Sequence, residues 1–413
     1  MARKPLRDSD MSKPSGFRRR QQSADSTYRR VILLFLTVSF ISLMILFSFT
    51  SILAGLKDEL GLSNTQFGLL LSAFSIAYAA AQMPAGILSD RYGGKRVSLV
   101  GLFLMAVAAL AFSFSTDFEV ALLLRCLAGF GGGLVLPAAI RLLSDWYPPK
   151  DRNIAMGIFG LGQGLGFVVT YVIGSIVVEF FGWRTGSLFS GTIVSLVVVL
   201  ALIFLKENAA AAIAGNQPGP SGAERKFKLP FFLFIAINFT SLSVVSGILQ
   251  FTPQFLTVRF GFSTIASGFV TSLLGLTSML SSFAGGLTSR KIGGGNVILA
   301  SMLMCAALPT LLGYSYYPAS VLAFVALLGF GTLFYFGPLF AGVSSMGEKH
   351  RGAVFGVFNT TSFGASALSP LILGYVLDIT HSYEAAFTSL SVIALIGLGA
   401  AVALKRTKFF ADD

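Results

Sequence analysis

Charge is scarce in this chain. Only 12% of its 413 residues are charged, against about 25% in ordinary soluble domains. That scarcity excludes a water-soluble globule of usual composition, and 54% of the residues are apolar. Cysteine and histidine are scarcer still. Cys126 and Cys305 both fall inside apolar stretches, which excludes a disulfide framework and a metal cluster. His350 and His381 fall in loops on opposite sides and cannot form a site together. No Asp or Glu lies centrally in any apolar stretch; Glu179 and Asp378 sit near stretch ends. A carboxylate proton relay within a membrane therefore has no carrier. The glycine-rich runs lack a following Gly-Lys-Ser/Thr and a preceding strand, which excludes a nucleotide-binding loop. No enzyme activity, cofactor or metal is expected.

Long apolar runs are what the chain does have. Twelve fall at approximately 31–56, 65–88, 97–115, 120–144, 154–178, 185–205, 230–257, 265–287, 297–314, 319–343, 353–377 and 385–404. About 20 such residues span the hydrocarbon core as a helix, and a helix satisfies its own backbone there. The first run is too long for a signal-peptide core and reads as a retained span. Residues 1–30, polar and rich in Arg and Ser, are expected to form a disordered cytoplasmic tail. The net charge of +12 does not imply a nucleic-acid partner, because 25 of the 30 Lys and Arg residues fall on one side of the spans. That asymmetry places both termini in the cytoplasm. A bacterial cytoplasmic (inner) membrane is the expected location, with the lipid bilayer as the obligatory partner.

The two halves repeat each other. Leu56, Gly61, Ser63 and Gly68 recur as Leu256, Gly261, Ser263 and Gly268. Leu127, Gly129, Phe130 and Gly131 recur as Leu327, Gly329, Phe330 and Gly331; Lys150, Arg152, Gly157 and Phe159 recur as Lys349, Arg351, Gly356 and Phe358. The expected architecture is an all-α membrane protein, twelve transmembrane helices arranged as two pseudo-symmetric six-helix bundles. These bundles are 31–205 and 230–404, joined by a cytoplasmic linker at 206–229 with the flexible run Asn216-Gln-Pro-Gly-Pro-Ser-Gly. Residues 405–413 form a second cytoplasmic tail. A duplicated half-bundle puts an interface at the membrane centre where a solute can sit, so a transporter is the leading reading.

Gly86-Ile-Leu-Ser-Asp-Arg-Tyr-Gly-Gly-Lys-Arg96 follows the second span. Gly86 permits close helix approach, Asp90 is a carboxylate where a helix ends, and the basic cluster anchors the turn. This run resembles the G-x-L-x-D-R-x-G-x-[KR] hallmark of the major facilitator superfamily, and the resemblance spans nearly all of 31–404. A weaker copy, Gly285-Gly-Leu-Thr-Ser-Arg-Lys-Ile-Gly-Gly294, has Ser289 in place of the acid. The resemblance implies the major facilitator fold and a conformational latch made of Gly86, Asp90, Arg91, Gly93, Lys95 and Arg96. In the family the acid meets the positive N-terminal end of the eleventh helix in the outward-open state, here near Ala353. Gly94 stands where the family usually has a basic residue, so the latch is expected to differ in detail. Tyr78-x-x-x-Gln82-x-Pro84-x-Gly86 resembles, more weakly, the organic anion:cation symporter branch. That branch's Asp-Arg pair in the first helix has no counterpart here, nor has the Gly-Pro pair of the family's antiporters in helix five.

Arg125-Cys-Leu-Ala-Gly129 resembles the family's fourth-helix R-x-x-x-G pattern. Arg125 lies six residues beyond Glu119, roughly 9 Å further down the helix. A charge near the bilayer centre costs about 2.5–3.5 kcal/mol, so Arg125 is expected to face a cavity or partner, with snorkelling as the alternative. Arg141 and Asp145 read as a structural pair. Glycines 160, 162, 164 and 166 read as packing positions, and Gly182-Trp183-Arg184 as an interfacial aromatic anchor. In the superfamily helices one, four, seven and ten line the cavity, flanked by two, five, eight and eleven. Polar side chains on those helices are the candidate solute ligands: Arg125, Tyr78, Gln82, Gln163, Asn238, Gln250, Gln254, Tyr335 and Asn359. Each amide can instead bond a neighbouring helix. Asn359 occupies the repeat position of Gly160, which favours a role for it.

The expected function is secondary active transport of a small organic solute, a small organic anion first, with Arg125 as its counter-charge. A proton or sodium ion is the candidate coupling ion, and a monomer is expected. The alternatives are efflux of amphipathic compounds and, less favoured, a non-transporting membrane sensor. Orientation is directly testable in a background lacking Cys126 and Cys305. In intact cells an impermeant maleimide should label Ser382→Cys, while Ser221→Cys labels only after permeabilisation; the reverse pattern would invert the topology.

Overall fold

The computed structural model describes residues 15–47, 49–147, 155, 158, 159, 162, 165–205, 229–346 and 351–407, with backbone alone for 15–27, 344–346 and 351–359. Among the described residues every regular element is a helix. These are α1 (Ser15–Phe47), α2 (Thr50–Leu60), α3 (Asn64–Tyr92), α4 (Gly94–Phe112), α5 (Phe118–Trp146), α6 (Ser175–Phe204, entered through a π-turn at Thr170–Gly174), α7 (Leu229–Phe260), α8 (Thr264–Ile292), α9 (Gly294–Gly313), α10 (Pro318–Leu333), α11 (Phe336–Met346), α12 (Arg351–Thr380) and α13 (Tyr383–Arg406).

Eleven helical runs among the described residues are long and apolar enough to cross a membrane, and one, Leu165–Phe204, continues for 40 residues. At 1.5 Å per residue that is about 60 Å, twice the hydrocarbon thickness. Gly182, at φ 79° and ψ 166°, breaks it into two spans. The architecture is thus twelve-spanning, the fifth span (expected at 154–178) running on from partly undescribed residues into the sixth. Two expectations need correction. The tail over 1–30 was expected to be disordered; residues 1–14 lie outside the described residues, and α1 is helical from Ser15. Residues 17–30 contain neither Gly nor Pro, and extending a nucleated helix is cheap. Tyr28 and Tyr147 tie this extension down, bonding the carbonyls of Phe204 at 3.2 Å and Arg29 at 2.9 Å. The first span is also not continuous, because it breaks between Phe47 and Thr50.

The sequence repeat reappears as repeated local structure. Ser63 and Ser263 both cap a helix by accepting the backbone N–H three residues on, Gln66 and Ala266, at 3.1 Å. Gly61 and Gly261 take φ values of 60° and 66°, and Gly93 and Gly293 take 87° and 82°, backbone that favours glycine. Helix contacts repeat as well. A methyl group on Gly129 would overlap the Phe74 carbonyl, and one on Gly329 the Leu274 carbonyl. Gly131 abuts Leu104, and Gly331 abuts Met304. Gly68 meets the Pro370 carbonyl, and Gly268 meets that of Tyr171. Helices in lipid associate by such close backbone approach. Gly162 against Thr37 and Gly166 against Met44 are packing glycines of the same kind, as expected. Gly160 and Gly164 lie outside the described residues.

Gly129→Val and Gly329→Val should each destabilise the bundle by about 1–3 kcal/mol or more. Gly399→Ala, with nothing within 4 Å, should stay within about 0.5 kcal/mol of the parent. Unfolding of purified protein in detergent, followed by near-ultraviolet circular dichroism, checks the contrast.

Candidate functional site

One end of the bundle, the basic end, carries Arg91, Lys95, Arg96, Arg290, Lys291, Lys405 and Arg406. The halves meet at the opposite, far end. There Asp378, near the end of α12, accepts from four groups at the start of α3. Asn64 gives its N–H at 2.9 Å and its Nδ2 at 2.9 Å; Thr65 gives its N–H at 2.7 Å and its hydroxyl at 2.5 Å. The repeat-related acid does the reverse across the other seam, Glu179 accepting the Ile265 N–H at the start of α8 at 2.8 Å. Each carboxylate sits at the positive end of a helix belonging to the other half. A third tie is Tyr171, whose hydroxyl donates to the Leu249 carbonyl at 2.7 Å. Pro253 lacks the N–H that would otherwise take that carbonyl. Among the described residues, the hydrogen bonds joining the halves cluster here, so the far end is closed.

Arg125 is 2% exposed, which rules out snorkelling. Its Nε donates to the Leu70 carbonyl at 3.0 Å and its Nη1 to the Leu46 carbonyl at 2.7 Å. Leu46 lies in the last turn of α1, where carbonyls lose their helical partners, so the guanidinium caps the break before α2. Its carbon lies 4.7 Å from the centre of the Phe74 ring and 5.5 Å from that of Phe49. No ion-pair partner accompanies it among the described residues, and its Nη2 has no acceptor. A buried cation with one open donor is a place where an anion gains more than in water.

The remaining candidates separate into groups. Asn238 and Tyr335 come together, the Tyr335 hydroxyl donating to Asn238 Oδ1 at 2.7 Å, and Asn238 Nδ2 donating to the Ser362 hydroxyl. Tyr335 stands in the break between α10 and α11, the interruption expected before Gly337-Pro338. Tyr78, on α3, packs its ring 4.3 Å from Phe363 of α12, across the halves. Neither its hydroxyl nor the Gln82 amide nitrogen makes a well-formed hydrogen bond. Gln250 donates to the Ser246 hydroxyl at 2.5 Å, and Gln254 to Asn64 Oδ1 at 3.0 Å. Gln163 and the Asn359 side chain lie outside the described residues. Asn64 and Thr65 were missed because short polar residues at a helix start read as caps, and Ser246 and Ser362 because a serine inside a helix reads as bonding its own backbone. Glu179 and Asp378 were seen only as end residues, although their 199-residue offset was a legible sign.

At the basic end Asp90 is 74% exposed in its side chain and pairs with Arg141 of its own half; Asp145 lies 3.6 Å from the same arginine. Gly86 has nothing within 4 Å of where a methyl would stand. Arg91 lies 5.3 Å from the Tyr92 ring centre. Gly93 turns the chain so that Gly94, Lys95 and Arg96 open α4. The interfacial-anchor reading of Trp183 is corrected: it is 7% exposed, packs against Gly55 and donates to Glu59 at 2.9 Å. The positive-φ Gly182 turns it inward. An apolar crevice beside α2, lined by Ile45, Ile52, Val169, Phe189 and Ile193, holds hydroxyls but no charge and suits packing.

The sequence profile of the Major Facilitator Superfamily matches residues 35–370. A hexuronate transporter of Bacillus subtilis is 26% identical over 360 residues, 80% of this chain and 84% of that protein. A protein of Cupriavidus necator named as a probable sulfoacetate transporter is 26% identical over 374 residues, 84% of this chain and 86% of its own. In fold, the chain is similar to a bacterial homologue of the human lysosomal transporter Spinster. The TM-score is 0.79 at 17% identity, covering 92% of this chain and 97% of that one.

Removing the Asp378 carboxylate should loosen the far end. Its four bonds are charge-assisted, worth at most roughly 1.5–3 kcal/mol each net of exchange with water and less at this partly exposed carboxylate. In a background lacking Cys126 and Cys305, a thiol reagent should reach Ser72→Cys at least about tenfold faster when Asp378→Ala is added, 1.4 kcal/mol of opening sufficing. Glu179→Ala, which loses one bond, should do less.

Proposed function

The chain belongs to the Major Facilitator Superfamily, and from that membership we propose that it carries a small organic anion across the cytoplasmic membrane by alternating access. It is a membrane transporter. The bundles 31–205 and 230–404 rock against each other, with the basic end and both termini facing the cytoplasm. In the conformation seen here the far end is sealed. In the opposite one, the caps at Asp378 and Glu179 part, and Asp90 exchanges Arg141 for the N-terminal end of α12, engaging the loop from Gly86 to Arg96.

The observation that carries the anion is Arg125, a buried guanidinium with no carboxylate among its described neighbours and with Nη2 open. Left alone, such a charge is costly in lipid; an incoming carboxylate or sulfonate offsets that cost. Relatives named for hexuronate and sulfoacetate transport support an acid as the solute. Asn238, Tyr335, Gln250, Gln254, Tyr78 and Gln82 are the proposed polar ligands, with Gln163 and Asn359 completing the set from positions not described. Transport is by one copy of the chain, coupled to a proton or sodium ion. The aromatic contact between Tyr78 and Phe363 favours a second reading, efflux of amphipathic compounds, should Arg125 prove purely structural.

Counterflow in proteoliposomes across a panel of organic acids decides between them. Arg125→Gln and Arg125→Lys should lower exchange of the transported acid at least about tenfold at equal reconstituted protein, since one charged hydrogen bond is worth about 1.5–3 kcal/mol. Lysine cannot fork to two carbonyls and a solute together. Undiminished exchange in Arg125→Gln would remove the anion reading.

A further inference from the structure

Two buried amide oxygens on α7 have no donor, and their neighbours fix which way they point. Pro370 leaves the Ser366 carbonyl without its helical N–H, and the Ser246 hydroxyl fills the vacancy at 3.0 Å. A hydroxyl has a single proton, so Ser246 must accept from Gln250, which turns Nε2 toward Ser246 and Oε1 away from it. Gln254 is oriented by a parallel chain of constraints. Asp378 takes the Asn64 Nδ2, which makes Asn64 Oδ1 the acceptor for both Lys57 Nζ at 2.5 Å and Gln254 Nε2 at 3.0 Å. The amide assignments, ordinarily ambiguous, are thereby fixed at both positions. Gln250 Oε1 and Gln254 Oε1, one turn apart on the same face of α7, are left without donors, and Gln250 is 1% exposed.

We infer that these two oxygens form a subsite for the hydroxyl groups of the solute, making the preferred cargo a hydroxylated organic acid; this rests on the anion reading above. The depth fits. Phe251, next to Gln250, packs its ring 5.5 Å from Phe67 of α3, and Arg125 bonds the Leu70 carbonyl three residues further along the same helix. Arg125 and α7 thus both reach the first turns of α3, Arg125 at Leu70 and α7 through Gln254 at Asn64 and Phe251 at Phe67. A carboxylate answers the open donor of Arg125 and hydroxyls answer the open acceptors of α7. A cation is disfavoured there: Asp378 already serves four donors, and Arg125 is itself positive. Gln254 also ties the subsite to the far-end seal through Asn64, so filling it bears on the group that Asp378 holds.

The test uses the purified full chain and pairs of acids differing only in hydroxyls: D-gluconate against hexanoate, and D-glucarate against adipate. Affinities are read by thermal-shift titration in sodium-free buffer. The hydroxylated member of at least one pair should bind the parent protein tenfold or more tightly than its deoxy partner. A site built around a hydroxyl rejects the analogue lacking it far more strongly than a missing methylene is rejected. Gln250→Leu and Gln254→Leu should bring that ratio toward one, Gln250→Met standing in if leucine fails to fold, whereas Arg125→Gln should weaken both members together. If no acid binds the parent, the anion reading falls and takes the subsite with it. If acids bind but the ratio is one in the parent, persists in the glutamine variants, or appears only with added sodium, the subsite alone is overturned.

Discussion

Lipid supplies no hydrogen bonds, and every interrupted turn of helix in this protein has to be answered by another part of the chain. Three interruptions show what that demand produces. The break after α1 exposes the Leu46 carbonyl, and Arg125 reaches it from α5. Pro253 strips the Leu249 carbonyl, and Tyr171 reaches it from the other half. Pro370 strips the Ser366 carbonyl, and Ser246 reaches it from α7. In each case a polar group is drawn into the interior for a structural reason, and in two of the three surplus capacity is left there: Nη2 of Arg125, and through Ser246 the amide oxygen of Gln250. A helical carrier needs polar groups at mid-depth that are held rigidly yet not fully consumed. Helix breaks provide both properties at once.

The duplication explains why the seal has two arms and why they are unequal. Repeat-related acids cap repeat-related helix starts, Asp378 on α3 and Glu179 on α8. The geometry is therefore inherited from one ancestral half meeting another. The first arm has gained partners, because Asn64 and Thr65 offer side chains where Thr264 and Ile265 offer little. Lys57 and Gln254 converge on the same asparagine. Divergence at the positions beside a shared cap turns a symmetric closure into one with a strong seam and a weak one.

Much of this was legible in the residues. The spans, the repeat, the glycine packing and the importance of Arg125 follow from hydropathy, offset and the cost of a charge in lipid, all encoded locally. The interruption at Tyr335 was legible because Gly337-Pro338 announces it. The break between Phe47 and Thr50 was not, since no Pro or Gly marks it and Arg125 supplies the compensation from 79 residues away. Trp183 read as an interfacial anchor because aromatic-plus-charge at a span end usually is one; the backbone turn at Gly182 that buries it carries no separate sequence mark. Asp90 shows a different limit. A charge at a helix end has several partners in reach, and here Asp90 takes Arg141 of its own half. Composition cannot encode that choice.

The strength of the seal sets a bound on how the solute can act. Asp378 makes four bonds, but each is traded for water when the far end opens, and partly exposed groups keep only a fraction of the nominal 1.5–3 kcal/mol or so. The hydrogen-bonded part of the closure is therefore worth about a few kcal/mol, the size that a small ligand's differential binding can overcome. Had the seal been built from buried aromatic packing alone, opening it would have required exposing apolar area at about 25 cal/mol per Å², with nothing for water to satisfy. The seal is mixed: Gly68 against the Pro370 carbonyl, Gly268 against that of Tyr171 and the Phe67–Phe251 ring pair also join the halves, and the hydrogen bonds are the part of it that water can replace.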